Sequence, residues 1–142
     1  MTAPVLHATL VARWQDGAWC GLLLRGPSGA GKSALALRCL EAGWRLVADD
    51  RVLVWASGGA LFGRAPETLF GLIEVRGQGV QTAAALRLAR IALVVDCVGA
   101  DEVERCPDPA AARYEGIFVP RLKLWPFEPS APAKLRRALA HL

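Results

Sequence analysis

Gly26-Pro27-Ser28-Gly29-Ala30-Gly31-Lys32-Ser33 matches the pattern G-x-x-x-x-G-K-[ST] at every fixed position. It follows the apolar run Gly21–Leu24 and precedes a helical pattern, which is the strand, loop and helix order of a phosphate-binding loop. Glycines let successive backbone N–H groups turn towards a phosphate, and the following helix presents its positive N-terminus to the same anion. We therefore expect the chain to bind a nucleoside triphosphate.

Two side chains at the end of this loop have predicted roles. Lys32 is expected to reach the β- and γ-phosphates, and Ser33 is expected to offer its hydroxyl to Mg²⁺. The ion bridges phosphate oxygens and neutralises the charge that builds up during phosphoryl transfer. The loop alone supports a kinase, an ATPase and a nucleotide sensor about equally.

Length and composition predict a single domain over residues 1–142, large enough for a core but too small for a separate substrate domain. The hydrophobic fraction of 54% owes much to alanine, and no run approaches the roughly 18 apolar residues of a membrane span. The segment Met1–His7 lacks the basic region and apolar core of a signal peptide. We therefore expect a soluble, cytoplasmic protein.

The cysteines and the net charge exclude two other classes of function. Cys20, Cys39, Cys97 and Cys106 form no C-x-x-C pair, which favours buried free thiols over disulfides or a metal site. The formal charge of +4 would suit nucleic acid, but the arginines are scattered and no helix-turn-helix or aromatic-interleaved basic stripe is present. We expect neither nucleic acid nor a membrane as partner, and a basic surface would suit an acidic protein.

Hydrophobic patterning predicts a mixed α/β order. An N-terminal hairpin is expected from strands His7–Arg13 and Trp19–Arg25, followed by a helix over Ser33–Ala42 and a short strand over Trp44–Ala48. The remaining predicted elements are extended segments at Val52–Trp55, Ala60–Gly63 and Leu72–Arg76, a short helix over Pro66–Phe70, a helix over Val80–Leu88, a central strand over Ile91–Val98, a mobile surface loop over Gly99–Gly116, a strand over Phe118–Leu124 and a last helix from about Ala131.

Two adjacent carboxylates complete the predicted site. Asp49 and Asp50 end the strand that follows the phosphate-loop helix, and the carboxyl ends of strands line the ligand crevice in open α/β sheets. Adjacent residues on an extended chain point in opposite directions, so one can face the nucleotide and metal while the other faces the acceptor or a structural partner. Asp96, at the end of an apolar strand, competes with Asp49 for the role of metal ligand.

Several separated segments resemble the catalytic domain of the HPr kinase/phosphorylase family, which phosphorylates a serine of the phosphocarrier protein HPr. The resemblance implies an α/β phosphate-loop kinase domain with a phosphoenolpyruvate carboxykinase-like core and a mixed central sheet flanked by helices. It is carried by Leu6–Ala8, Gly26–Ser33, Arg45–Arg51, Gly63–Glu67 and Glu74–Gly79, of which the R-L-V-A-D-D-R and E-V-R-G-x-G strings are the most diagnostic.

The resemblance also implies residue roles. Asp50 would be the acid/base next to the acceptor serine, with Asp49 as its close rival, and His7 matches a histidine of the family's active site. Lys32 would hold the phosphates of ATP, and Ser33 with Glu74 would ligate Mg²⁺. The implied function is ATP-dependent phosphorylation of HPr in regulation of the bacterial phosphotransferase system.

The chain also departs from the family. It resembles a short form, as in alphaproteobacteria, without the N-terminal domain of longer members, and Ser130–Lys134 replaces an expected P-G-R-N stretch. The reverse phosphorylase reaction therefore stays open. So does a homo-oligomer, since the apolar segment Leu122–Phe127 suits either a subunit interface or a cap on the core. The alternatives are a nucleotide sensor, or an ATPase or small-molecule kinase that does not act on HPr.

Overall fold

The computed structural model describes residues 3–142; Met1 and Thr2, the first residues of the segment inspected for a signal peptide, lie outside the described part. Its strands are β1 (Val5–Leu6), β2 (Ala8–Gln15), β3 (Ala18–Arg25), β4 (Arg45–Ala48), β5 (Val52–Ser57), β6 (Ala60–Arg64), β7 (Leu72–Val75), β8 (Gly79–Thr82), β9 (Ala89–Cys97), β10 (Ala110–Tyr114) and β11 (Ile117–Leu124). The helices are α1 (Lys32–Glu41) and α2 (Ala131–Ala140), and short 3₁₀ turns cover Glu67–Leu69 and Ala100–Glu102.

The main sheet is mixed and has the strand order β1-β5-β6-β9-β3-β2-β4. Strand β11 pairs in parallel with the second half of β9 and carries β10 at its outer edge. Strands β3 and β9 are parallel, whereas β2 runs antiparallel to both β3 and β4. The carboxyl ends of β3, β4, β9 and β11 therefore lie at one edge of the sheet, where ligands bind in α/β folds.

Apolar side chains fill both faces of this curled sheet. On one face, Leu22, Leu24 and Val95 pack in a cluster with Leu35 of α1 and Leu135 of α2, all fully buried. A second buried cluster on the other face joins alternate residues of the same strands with residues of β5 and β6. Burying a large aliphatic side chain contributes roughly 1.5–3 kcal/mol, so this alternation fixes the register of the strands.

The N-terminal hairpin is confirmed and closes through a two-residue turn. Asp16 and Gly17 have φ of 51° and 80°, and Glu115 and Gly116 between β10 and β11 have φ of 51° and 78°. Positive φ at both central residues matches the twist of the flanking strands. The predicted helices over Ser33–Ala42 and from Ala131, the short helical turn after Pro66 and the central position of β9 are also confirmed.

The predicted helix over Val80–Leu88 is wrong. Residues 79–82 form β8, which pairs with β7, and residues 83–88 continue without helix. The edge of β4 explains this, because its backbone needs partners: Leu46 N–H donates to Ala84 O at 3.1 Å and Leu86 N–H donates to Leu46 O at 2.8 Å. Pairing with this edge outweighs the helical propensity of the alanines.

The prediction of one surface loop over Gly99–Gly116 is wrong for its second half. Residues 110–114 form β10, paired along its whole length with β11. Glu115 and Gly116 form the turn of this hairpin. Both turns, Asp16–Gly17 and Glu115–Gly116, have glycine as their second residue.

Among the described residues, 3–142, no helix is long and apolar enough to cross a membrane. The four cysteines are free thiols: Cys39 and Cys97 are buried, Cys20 is half-buried and Cys106 is exposed. In the apolar segment Leu122–Phe127, Leu124 belongs to the core, whereas Phe127 is 56% exposed.

Candidate active site

The phosphate loop leaves β3 at the ligand edge of the sheet and enters α1 through glycines in conformations that other residues rarely adopt. Gly29 and Gly31 have φ of 82° and 103°. Gly31 also packs against the aromatic ring of Phe127. A Cβ atom added at this position would lie 2.8 Å from Cζ of the ring. The loop is closed by an N–H of Ala30 that donates to Pro27 O at 3.0 Å.

Lys32 lies buried beneath this loop. Its Nζ donates to Gly26 O at 2.6 Å and to Pro27 O at 3.0 Å. The two carbonyls satisfy the buried ammonium group and hold the start of the loop against the start of α1. The positive charge of Lys32 thus lies directly at the loop.

Asp49 is buried, and its carboxylate accepts hydrogen bonds from three other elements of the fold. Its Oδ1 accepts from Thr9 Oγ1 at 2.9 Å and from Ser33 Oγ at 2.7 Å, and its Oδ2 accepts from the backbone N–H of Glu74 at 3.0 Å. These donors come from β2, α1 and β7, so the carboxylate joins them to the end of β4. These three hydrogen bonds satisfy both oxygens of the buried carboxylate.

Asp50 lies in a very different environment. Its φ is 69°, and the N–H of Arg51 donates to Asp49 O at 2.8 Å, so Asp50 is the central residue of a strained, positive-φ γ-turn. The turn exposes 58% of the side chain and directs Oδ1 to within 2.7 Å of Nε2 of His7. Strain of this kind is concentrated at functional sites, where surrounding structure maintains it.

The predicted residues converge on one cleft of about 520 Å³ between the phosphate loop, the start of β2 and the β7–β8 hairpin. His7, Lys32, Ser33, Asp50 and Glu74 all line it, with Asp49 directly behind Ser33 and Thr9. Its remaining lining residues are Thr9, Ser28, Gly29, Gly31, Ala34, Leu37, Val75, Arg76 and Phe127.

Asp96, the alternative metal ligand predicted from the sequence, is not among the residues that line the cleft. Its carboxylate forms an ion pair with the guanidinium of Arg25, the residue beside it on β3, and Arg25 also donates to Tyr114 Oη at 2.7 Å. The hydrogen bond to Asp96 raises the pKa of Arg25. Because the Asp96 carboxylate is engaged by arginine, whereas Asp49 accepts a hydrogen bond from Ser33, which lines the cleft, Asp49 is the better candidate to support a metal ion there.

Six lining residues were not identified as site residues from the sequence, and three of them bear directly on the chemistry of the cleft: Thr9, Arg76 and Phe127. Thr9 lies two residues after His7, so alternation along the predicted strand His7–Arg13 would have placed both side chains on one face. Arg76 adds a second cation and belongs to the E-V-R-G-x-G string. Phe127 comes from the distant C-terminal segment, and no local pattern indicated that it contacts the phosphate loop.

The oxygen donors on the floor of the cleft fit a hard cation. Ser33 supplies a hydroxyl, Asp49 a buried carboxylate behind it, and Glu74 an exposed carboxylate on the facing strand. Within residues 3–142, no set of three or more His, Cys, Asp or Glu side chains forms a closed metal cage. An open donor set with one or two carboxylates is typical of Mg²⁺ held jointly with nucleotide phosphates.

Comparisons with known proteins identify the family and the fold of this chain. The family model "HPr Serine kinase C-terminal domain" matches residues 4–92. The HPr kinase/phosphorylase of Clostridium perfringens strain 13 is 46% identical over 81 residues, covering 57% of this chain and 25% of that protein. The HPr kinase/phosphorylase of Streptococcus thermophilus strain CNRZ 1066 is 51% identical over 61 residues, 42% of this chain and 20% of the relative. The chain thus spans about a quarter or less of the length of these relatives.

A solved structure described as the Hpr(Ser) kinase/phosphatase from Coxiella burnetii has the same fold. It aligns with a TM-score of 0.80 and 23% sequence identity, covering 97% of this chain and 94% of that chain. The mixed α/β fold of β1–β11 and two helices is therefore the fold of that kinase domain. The family model matches residues 4–92, which is more than half of the chain. The chain therefore belongs to the HPr serine kinase C-terminal domain family.

Proposed function

We propose that the protein is an ATP-dependent protein kinase that transfers the γ-phosphoryl group to a serine of an HPr-like phosphocarrier protein. Family membership supports the acceptor class, and the arrangement of the cleft supports the reaction type. Phosphoryl transfer needs positioned cations on the donor side and a carboxylate beside the attacking hydroxyl. The cleft is lined by residues of both kinds, which we call its donor wall and its acceptor wall.

The donor wall is the phosphate loop. Its backbone N–H groups and the N-terminus of α1 receive the phosphates, and Lys32 exchanges its bonds to Gly26 O and Pro27 O for bonds to phosphate oxygens. Arg76, on the facing hairpin, places a second positive charge on the same cleft. Both cations stabilise the negative charge of the transferring group.

Ser33 and Glu74 are the proposed ligands of Mg²⁺, with Asp49 behind Ser33. Because Ser33 Oγ donates its hydrogen to Asp49 Oδ1, the lone pairs of the hydroxyl are directed away from Asp49 and are available to a cation. When bound, Mg²⁺ would supply charge neutralisation on the phosphate oxygens. Thr9 shares the same carboxylate oxygen and holds it in place.

The acceptor wall is formed by His7 and Asp50. Asp50 is exposed, so a serine on a folded partner can reach its carboxylate, whereas Asp49 is only 6% exposed and already accepts three hydrogen bonds. We therefore assign the acid/base role to Asp50, which takes the proton from the serine hydroxyl as its oxygen attacks. His7 orients this carboxylate through the 2.7 Å contact.

The observation that carries this proposal is the position of Asp50, which is exposed in a strained turn and lines the same cleft as Lys32 and Ser33. The test incubates the protein with labelled ATP, Mg²⁺ and HPr and detects phosphoserine on HPr by mass. Lys32→Ala and Asp50→Asn should each lose transfer by about 10²-fold or more, the range for removal of an acid/base or a charge-stabilising group.

The matched control is Asp16→Asn. Asp16 is also an exposed aspartate with positive φ, at 51°, but it lies in the turn between β2 and β3 at the other end of these strands. The Asp16→Asn variant should retain full transfer activity. If HPr stays unphosphorylated while ATP is hydrolysed, the protein is an ATPase instead. Full activity of Asp50→Asn with loss in Asp49→Asn would transfer the acid/base role to Asp49.

A reverse phosphorylase reaction is a second proposal, supported by the relatives named HPr kinase/phosphorylase. The same walls would then bind phosphate and phosphoserine: an oxygen of inorganic phosphate would attack the phosphorus of phosphoserine in the place that ADP leaves, and the released serine oxygen would take a proton from Asp50. Incubation of phosphorylated HPr with inorganic phosphate and Mg²⁺ should release dephosphorylated HPr and pyrophosphate. An unchanged mass of phosphorylated HPr under conditions that support the forward reaction would show that the domain is a kinase only.

A further inference from the structure

A second cleft of about 470 Å³ lies on the other side of the phosphate loop. It shares Gly29 and Phe127 with the first cleft, so the two clefts are neighbours at the loop. Its volume lies within the range of small-molecule sites. The lining residues are Pro27, Gly29, Ala30, Cys97, Val98, Gly99, Glu102, Trp125 and Phe127.

Strand order determines which end of a triphosphate would lie near this cleft. The loop follows β3, and Asp50 follows β4 on one side of it in the order β11-β9-β3-β2-β4. The second cleft is formed by the segments after β9 and β11, on the opposite side of β3. If the γ-phosphate faces Asp50, the nucleoside end of the molecule is directed towards β9 and β11.

Two aromatic side chains border this second cleft in an exposed position. Trp125 is 36% exposed and Phe127 is 56% exposed, although aromatic residues of this size usually lie in the core. The first half of the segment that carries them is fixed to α1, because Arg38 donates to Pro126 O at 2.6 Å and to Glu128 O at 2.7 Å. A rigid segment with exposed aromatic faces loses little entropy when a flat ligand binds.

The cleft also contains one fixed carboxylate. Glu102 Oε2 accepts from the backbone N–H of Gly99 at 3.1 Å, which holds the side chain at the lining. A carboxylate can accept hydrogen bonds from the exocyclic amine of a base or from ribose hydroxyls. The remaining lining is apolar, as at most sites that bind a flat ring.

We propose that this second cleft binds the base and ribose of the nucleotide, with the base against Trp125 and Phe127 and with Glu102 as the polar contact. The inference rests on the proposed function only in placing the γ-phosphate near Asp50. It assigns a role to the segment after β11, which lies outside residues 4–92 matched by the family model.

The test separates base binding from phosphate binding. Calorimetry measures the affinity of the full chain with Mg²⁺ for ATP and for inorganic tripolyphosphate, which has the same phosphates and no nucleoside. Trp125→Ala should weaken ATP binding about tenfold, as is usual for loss of one base-stacking partner, and leave tripolyphosphate affinity unchanged. Phe127→Ala should also weaken ATP binding, with an added effect on tripolyphosphate because its ring contacts Gly31.

Phe118→Ala is the control, since Phe118 is 69% exposed and lies on β11 away from both clefts. The inference is overturned if tripolyphosphate binds the parent as tightly as ATP, or if Trp125→Ala leaves ATP affinity unchanged or lowers both affinities equally. Binding measurements need no acceptor protein. A chain that shows the expected affinities but does not phosphorylate HPr would therefore contradict the proposed function alone.

Discussion

Asp49 and Asp50 illustrate how neighbouring residues of the same type acquire different chemistry. Strand β4 ends at Ala48, directly before them; the first side chain stays inside with three donors and the second emerges at a strained turn. Sequence alternation predicted that they would point apart, but it could not decide which one is buried. That decision depends on Thr9, Ser33 and the backbone of Glu74, which come from distant parts of the chain.

Gly31 provides a test at the scale of one methyl group. Gly31→Ala should lower the free energy of unfolding, measured with urea and without nucleotide, by about 1–3 kcal/mol more than Gly29→Ala does. Both glycines have positive φ, so both substitutions strain the backbone. Only at position 31 would the new Cβ meet Phe127, at 2.8 Å, whereas nothing lies within 4 Å at position 29. Equal losses in the two variants would mean that the contact with Phe127 contributes nothing.

Among the elements, local patterns predicted the strands and helices that bury one apolar face. The phosphate loop, the first hairpin, α1 and β9 all have strong periodicity or turn residues of their own. Residues 83–88 were assigned wrongly because their conformation is set by the edge of β4, which propensity does not describe. Phe127 was missed for the same reason, since its contact with the loop arises only when β11 pairs with β9.

Arg38 connects α1 to the segment between β11 and α2, and this connection can be tested. Its guanidinium donates to the carbonyls of Pro126, Glu128 and Pro129 at 2.6–3.0 Å. Arg38→Met should lower the free energy of unfolding by about 1–3 kcal/mol, the usual cost of removing a charged hydrogen-bond partner. It should also speed hydrogen exchange of the backbone amides between β11 and α2.

The control is Arg137→Met, which removes the same charge from an exposed position on α2. It should change the free energy of unfolding by no more than about 0.5 kcal/mol. If the two variants are equally stable, or if hydrogen exchange in the segment is unaffected by Arg38→Met, then Arg38 does not fix the segment that carries Trp125 and Phe127.

At the scale of the whole molecule, the core extends directly beneath the site. Cys97 ends β9, and its backbone oxygen would lie 3.0 Å from a Cβ at Gly26, so the phosphate loop rests on this part of the core. Cys39 of α1 belongs to the same buried cluster. Burial raises the pKa of each of these two thiols from 9.0 to about 12. Burial outweighs the opposing positive charges of Arg38 near Cys39 and Lys32 near Cys97.

These raised pKa values predict how stability depends on alkaline pH. Above pH 9, thiols of the unfolded chain release their protons while Cys39 and Cys97 keep theirs in the fold, so the unfolded state binds fewer protons. The free energy of unfolding should therefore fall as the pH rises, by about 1.4 kcal/mol per pH unit for each buried thiol. Urea titrations under reducing conditions at pH values on both sides of 9 measure this slope.

Cys39→Ala should reduce that slope by about 1.4 kcal/mol per pH unit, because one of the two linked protons is removed. It also deletes a buried sulfur atom, so the free energy of unfolding at neutral pH should be lower, which is a separate effect from the slope. Cys106→Ala is the matched control: Cys106 is exposed, and its removal should change neither quantity. A slope that is the same in the parent and in Cys39→Ala would contradict the burial of this thiol, and with it the packing of α1 against the sheet that supports the phosphate loop.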